Sequence, residues 1–372
     1  MTTLAPTECA LLGATHPHSA MHLGTLLLLP EVDRIWIWDA DRAAAERLAA
    51  TAGDRAAAAS ELDALLARPQ VGFVLVARRH AETPATVALA ARAGKPVLCE
   101  KPGARTAAEW LPALAAAREA GVLLGFCYPW RLHPVVRQAR EWLACGLFGR
   151  VLSVEARMIT SQVRFRDPSH WLFSREQAGG GILHWLGCHL LDALRFLLDD
   201  EVESVAALTA RGNPEPIEVE DTAALALAFH SGALGTLHAG YLLPRSAPGY
   251  RGATYDTFLA VRGTLGRFHW QASAPQQVLH AESIHPDWVG APERRLTVDL
   301  EPSDAYGGRH GLELVRRFLL AAQRGGSPDA TGEDALHVLA ILDAAYESAA
   351  TGARVRVEPV AATNRPRRAS NR

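Results

Sequence analysis

The run Cys9-Ala-Leu-Leu-Gly-Ala-Thr-His-Pro-His18 decides the fold. Its apolar residues stop at a glycine, the pattern of a buried strand, and a helical stretch follows from about His18 to Leu29. Arg34-Ile-Trp-Ile-Trp-Asp39 is strand-like because β-branched and aromatic residues dominate it, and an alanine-rich helix starts at Arg42. The order is β-α-β. Outward from it, Ser60-Glu-Leu-Asp63 has capping-box chemistry before Leu65 and Leu66, and Val71 to Ala77 is the next apolar strand. Thr83-Pro84 supplies an N-cap and a first-turn proline for a helix that ends at Gly94. Pro96 to Cys99 is another strand, Thr106-Ala-Ala-Glu109 caps a helix that stops at Gly121, and Val122 to Phe126 closes the series. Such alternation predicts an α/β unit built on a doubly wound parallel sheet.

Beyond it the texture changes. Val151–Met158, Val202–Ala210, Thr222–Phe229, Ala233–Tyr241, Tyr255–Arg262 and Leu265–Gln271 read as strands with few helices between them, which predicts a large, mainly antiparallel sheet in an α+β unit. Gly179 to Gly181 introduces an amphipathic helix over Leu183 to Leu198. Two more helices are expected near Gly311–Ala322 and Glu333–Ala350, before a last short strand at Arg354–Val357. The chain therefore divides into residues 1–127, 128–358 and a basic, apolar-poor tail, 359–372, expected to be disordered.

Composition sets the class of partner. A 372-residue chain with 49% hydrophobic and 21% charged residues has ample core for two domains and is not a disordered protein. Its formal net charge of −2 leaves no basic field for nucleic acid or an anionic membrane. Small molecules or further copies of the chain are the expected partners. Five cysteines without a Cys-x-x-Cys pair, and a start lacking a basic and apolar leader, point to reduced thiols and a cytoplasmic address.

In a parallel sheet of this kind the first β-α turn carries a dinucleotide's pyrophosphate on backbone N–H groups. Gly13 stands there, but the fingerprint Gly-x-Gly-x-x-Gly reads Gly13-Ala-Thr15-His16-Pro-His18. His16 or His18 can donate to the phosphates where glycines would otherwise admit them. Asp39, 26 residues after Gly13, suits the ribose hydroxyls of NAD and would repel the 2′-phosphate of NADP; alternatively it caps the following helix. Arg78, Arg79 and His80 add positive charge at the same edge. His16, His18 and His22 invite a metal reading, since residues four apart share a helical face. No carboxylate lies within that turn, so phosphate contact or core packing is preferred and no metal is assigned.

Cys99-Glu100-Lys101-Pro102-Gly103 then puts a carboxylate and an ammonium at the edge where chemistry is expected. Together with Arg131-Leu-His-Pro134, Gly179-Gly-Gly-Ile-Leu-His-Trp-Leu-Gly187-Cys-His189-Leu-Leu-Asp192, Val219-Glu-Asp-Thr222 and Ala344-Ala-Tyr-Glu-Ser348, it makes the chain resemble the Gfo/Idh/MocA oxidoreductases from about Cys9 to Val357. The resemblance implies a Rossmann domain with NAD, or NADP, in a cleft beside an open-faced substrate domain. It implies hydride transfer at a hydroxyl or carbonyl carbon of a sugar, cyclitol or related compound. Lys101 matches the family's lysine at the reacting hydroxyl, His189 its acid-base histidine, Glu100 adjoins the cofactor, and Pro102 is a candidate for a cis bond.

The departures matter as much. The position four before the histidine, commonly Asp in the family, is Trp185 here; His184 or Asp192 is the candidate substitute, Asp192 as a catalytic partner of His189. Trp185, His184, Arg131 and His170 are the expected substrate contacts. The alternatives are a redox-neutral lyase or epimerase with retained NAD, and a binding protein with a degenerate cofactor site. A homodimer or homotetramer through the second sheet is expected.

Overall fold

The glycine- and acid-terminated apolar runs of the first third form one six-stranded, wholly parallel sheet in the computed structural model, in which residues 5–247, 253–273 and 276–358 are described. Its strands and helices alternate: β1 (Thr7–Leu12), α1 (Ser19–Leu27), β2 (Val32–Trp38), α2 (Arg42–Ala50), β3 (Ala56–Ala58), α3 (Leu62–Leu66), β4 (Val71–Val76), α4 (Thr83–Arg92), β5 (Val97–Cys99), α5 (Ala107–Ala120) and β6 (Leu124–Phe126). The order β3-β2-β1-β4-β5-β6 reverses direction beside β1. Every strand therefore delivers its C-terminal residue to one edge, and a ligand crevice opens at the reversal. Gly13, Asp39, Arg78 and Glu100 all leave strands there.

Local chemistry explains most boundaries. Thr106 accepts a hydrogen bond from the Glu109 N–H at 3.2 Å, and α5 ends at left-handed Gly121. Two expected caps are corrected. Glu61, not Ser60, precedes α3 and makes no side-chain cap, and Thr83 is the first residue of α4, its hydroxyl donating to the Arg79 carbonyl at 2.9 Å.

The later strands form a nine-stranded sheet. After α6 (Pro134–Ala144) come β7 (Val151–Ser161), the short α7 (Arg175–Ala178), α8 (Cys188–Leu198), β8 (Val202–Ala210), β9 (Thr222–Phe229), β10 (Leu234–Leu243), β11 (Tyr255–Gly263), β12 (Gly266–Gln271), β13 (Gln277–Ser283) and β14 (Glu293–Val298). Helices α9 (Gly308–Arg324) and α10 (Gly332–Thr351) precede β15 (Val355–Arg356). The order is β14-β13-β12-β11-β7-β10-β9-β8-β15, antiparallel except where β10 lies parallel to β7. The expected basic tail, 359–372, lies outside the described residues.

Two packing features position the site. A π-helical turn, Leu183–Gly187, leads into α8, and the glycines before it are needed for approach: a Cβ on Gly181 would lie 1.9 Å from the Glu220 carbonyl oxygen. Glu220 in turn accepts from the N–H groups of Gly181 (2.9 Å) and Leu183 (3.1 Å). Arg175–Leu198 is long and apolar enough to cross a bilayer by composition, but 89% of that window is buried, as in a core helix. The second feature is α9, whose Leu314, Val315, Phe318 and Leu319 share a core with Leu11, Leu23, Ile37 and Phe73 of the parallel sheet and α1. The chain thus returns to complete its first unit.

Candidate active site

At the first β-α turn Gly13 adopts φ +121°, and a Cβ there would lie 1.8 Å from the Ala77 carbonyl oxygen, so only glycine lets β1 pass β4 this closely. Asp39 occupies the turn. Its Oδ2 accepts from the Ala14 N–H (2.6 Å), the Thr15 N–H (3.1 Å) and the Thr15 hydroxyl (3.2 Å), and its Oδ1 from Asp41 N–H (3.0 Å) and Arg78 Nη1 (3.3 Å). Burial alone would raise its pKa; the backbone donors and Arg78 outweigh it and hold the carboxyl below its usual range. The helix-cap alternative for Asp39 is corrected: Asp41 caps α2, accepting from Ala44 N–H at 3.0 Å.

Arg78 also pairs with Glu82 at 2.6 Å and stacks over Trp38. Arg79 is half-buried beside it, while His80 is buried, its Nδ1 2.7 Å from the Ala178 carbonyl oxygen, which ties this loop to the second unit. Burial lowers the His80 pKa to about 3, keeping the ring neutral.

Glu100 and Lys101 stand at the end of β5, and the Lys101–Pro102 peptide is cis. Lys101 is 1% exposed; its Nζ donates to the Trp185 carbonyl at 2.8 Å and lies 3.7 Å from the Trp185 ring centroid. Burial lowers its pKa, opposed by Glu100. Glu100 turns toward helix α1. Its Oε1 meets His18 Nδ1 at 2.8 Å and His22 Nε2 at 2.9 Å, while Oε2 accepts the Lys101 N–H at 2.8 Å. Burial opposes its ionisation, but the histidine contacts and Lys101 prevail and its pKa falls well below the usual range. His18 is neutral all the same, because burial lowers its pKa to about 4 against the pull of Glu100. Glu100 and His18, both expected at the cofactor, thus meet each other through Glu100 Oε1 and His18 Nδ1.

Around this pair lies an aromatic wall. The His16 ring lies near Trp171 and Trp185, and the His18 ring lies 4.6 Å from Trp185 and 4.5 Å from Tyr306. Tyr306 went unforeseen because it sits in a loop before α9, where no periodicity marks it. His189, the first-turn histidine of α8, lies 6.0 Å from Tyr128, and burial followed by Lys101 pushes its pKa well down. His170 caps the turn at Trp171, accepting from Leu172 N–H at 3.3 Å, on the rim of this wall.

Three expected site residues belong to the framework instead. Asp192 is fully buried and receives Arg131 Nε and Nη2, at 3.0 and 2.5 Å, so it does not serve His189. Arg131 is 3% exposed and also binds Asp334 at 3.0 Å, joining α8 to the start of α10 rather than meeting substrate. His184 is held between Tyr346 Oη (3.0 Å) and the Arg105 carbonyl oxygen (2.8 Å), away from the wall. A sequence spacing of three placed Asp192 beside His189, but charge pairing across elements decided its direction.

A dinucleotide brings phosphate, ribose and carboxamide oxygens in search of donors. Among the described residues, His16 Nε2, Arg78 Nε, His80 Nε2 and His189 Nδ1 are buried without a hydrogen-bond partner, and all belong to this edge of the parallel sheet or the α8 turn facing it. Buried polar atoms seldom remain unpaired. The residues present therefore fit the group.

Comparison with known proteins agrees. Residues 8–128 match the model described as "Oxidoreductase family, NAD-binding Rossmann fold", and residues 136–269 match the GFO/IDH/MocA C-terminal domain. The 1,5-anhydro-D-fructose reductase of Ensifer adhaerens is 29% identical over 316 residues, covering 84% of this chain and 89% of its own. Levoglucosan dehydrogenase of Pseudarthrobacter phenanthrenivorans is 28% identical over 73% of this chain and 76% of its own. The crystal structure of GenD2 from gentamicin A biosynthesis, in complex with NAD, superposes with a TM-score of 0.79 at 27% identity, covering 96% of this chain and 98% of that one. From its turn, its two sheets and these matches together, the chain belongs to the Gfo/Idh/MocA family of NAD-binding oxidoreductases.

Proposed function

We propose that this oxidoreductase moves hydride between NAD and a hydroxyl or carbonyl carbon of a cyclic polyol or anhydro-sugar, with Lys101 and His189 handling the proton. One observation carries the reading: the Lys101 ammonium is fixed by the Trp185 carbonyl at 2.8 Å, within electrostatic reach of a buried, neutral His189. When bound, the nicotinamide supplies the hydride acceptor or donor. Lys101 has N–H groups beyond the one given to Trp185 and stabilises negative charge developing on the substrate oxygen. His189 takes that oxygen's proton, or returns it in the reverse direction. The aromatic wall excludes water from both and offers Trp185 as a stacking face for a ring with few hydroxyls.

Asp39 is assigned the adenosine ribose, favouring NAD over NADP. Thr15, His16, Arg78, Arg79 and His80 are assigned the rest of the dinucleotide, with residues 1–127, covered by α9, as its unit and the remainder of 128–358 as the substrate unit. His170 and Trp185 are the substrate contacts retained. Relatives named as a reductase and a dehydrogenase of anhydro-sugars support net redox over a redox-neutral lyase or a binding protein. The five cysteines, all free and four of them buried, support a cytoplasmic address.

The test is a thermal shift with NAD and NADP, followed by absorbance of the reduced cofactor. Wild-type protein should be stabilised by NAD and should turn over 1,5-anhydro-D-fructose with NADH or levoglucosan with NAD. A protein that binds neither dinucleotide overturns the reading.

A further inference from the structure

Helix α1 carries His18 at its N-cap and His22 one turn later, so both imidazoles face the same way, toward the end of β5. Glu100 meets them there. His18 Nδ1 and His22 Nε2 lie 2.8 and 2.9 Å from the same oxygen, Glu100 Oε1, and the three ligand atoms fall within 4.8 Å of one another. The three side chains are 10%, 0% and 2% exposed. Neighbouring ligands on an octahedral first-row cation, with bonds of about 2.1 Å at right angles, stand about 3.0 Å apart. The two nitrogen-to-oxygen spacings match edges of such a polyhedron.

We propose that His18 Nδ1, His22 Nε2 and Glu100 Oε1 form a binding site for a divalent first-row transition cation such as zinc, cobalt(II) or iron(II). Two imidazoles and one carboxylate suit these ions and exclude calcium and magnesium, which take oxygen cages. The carboxylate is already oriented, because the Lys101 N–H holds its second oxygen at 2.8 Å, and Lys101 Nζ is engaged by the Trp185 carbonyl. Tyr306 covers both rings, its centroid 4.5 Å from each, and limits the coordination positions left to water or substrate. Each ligating ring nitrogen presents its lone pair to the cation, the ring N–H being carried on the other nitrogen. The site stands on geometry alone, not on the hydride-transfer reading, so the two fail separately.

The experiment uses the full-length protein. Zinc, iron and cobalt are measured by mass spectrometry after dialysis, and the metal-free protein is titrated with Co²⁺ while its visible absorption is followed. Retention of about one equivalent per chain, with a cobalt band saturating at about one equivalent, is expected. His22→Gln and Glu100→Gln should each weaken cobalt binding at least ~10-fold. His269→Gln, which alters the exposed imidazole stack of His269 on His280, should leave it unchanged. Less than about a tenth of an equivalent in wild type, with no cobalt band, overturns the proposal, as does a band that survives His22→Gln or vanishes in His269→Gln. If the site variants do not fold, the wild-type stoichiometry decides. Binding of NADH, read by its fluorescence on the same samples, reports the cofactor independently of the metal.

Discussion

Lys101 is the residue on which chemistry and structure meet most closely, buried to 1% exposure and aimed by one carbonyl. Lys101→Met should lower kcat/KM by about 10² to 10⁴, the usual worth of a positioned proton-transfer or charge-stabilising group, while leaving the melting temperature near wild type. His189→Ala should do the same, and full activity in either variant would remove that residue from the reaction. Asp39→Asn is a different kind of test. Its carboxylate holds three backbone N–H groups and Arg78, so the amide should weaken NAD more than NADP and also loosen the turn. Fluorescence titration with each reduced dinucleotide reads the difference, and equal losses would make Asp39 purely structural. Residue types were legible in the sequence here, but their partners were not. Glu100 and Lys101 announced a reactive strand end, yet nothing in the order of residues tells that Glu100 turns toward His18 and His22, 82 and 78 positions away. The sequence holds no carboxylate within the turn of His18 and His22, and folding brings Glu100 to it from the end of β5.

Among elements, the β1–α1 turn is the least tolerant. Gly13→Ala adds a strained φ to a contact of 1.8 Å with Ala77, so the variant should either fail to fold or melt well below wild type, by circular dichroism. The helices and loops of the second unit carry buried neutral histidines. His133, with a pKa lowered by burial to about 3, and His184 and His310, lowered by burial to about 4, stay uncharged in the fold. The unfolded chain takes up their protons near pH ~6.5. Their stabilising contribution is thus complete above ~6.5 and is lost as pH falls toward 4 and then 3, at about 1.4 kcal/mol per histidine per unit. Urea midpoints taken from pH 7 to 4.5 should fall, and less steeply in His133→Gln. Long apolar strands such as β1, β4 and β9 declared themselves by pattern. The three alanines of β3 did not, because alanine favours helix and only pairing with Ile35 to Ile37 makes them a strand. Nor did β14, an edge strand whose Glu293-Arg294-Arg295 start is exposed and carries no apolar period.

Across the whole molecule, the second sheet keeps one face open. Leu208 is 76% and Leu234 62% exposed, with Ala206, Ala224 and Ala226 also exposed on β8 and β9, an apolar surface of the kind that pairs with a second copy. Light scattering should give a dimer or tetramer for wild type, and Leu208→Glu with Leu234→Glu should reduce it to a monomer; a monomeric wild type at micromolar concentration would count against the expectation. The order of the two units, parallel sheet first and antiparallel sheet second, was readable from the changing period of apolar residues. The return of α9 to the first sheet was not, since its amphipathic pattern says that it must pack but not against what. That return also sets when the first unit can finish folding. Until residue 319 has left the ribosome, Leu11, Ile37 and Phe73 lack the helix that covers their core, so the nucleotide-binding half is born first yet finished almost last. A nascent chain of this protein is accordingly one that holding chaperones should meet early and release late.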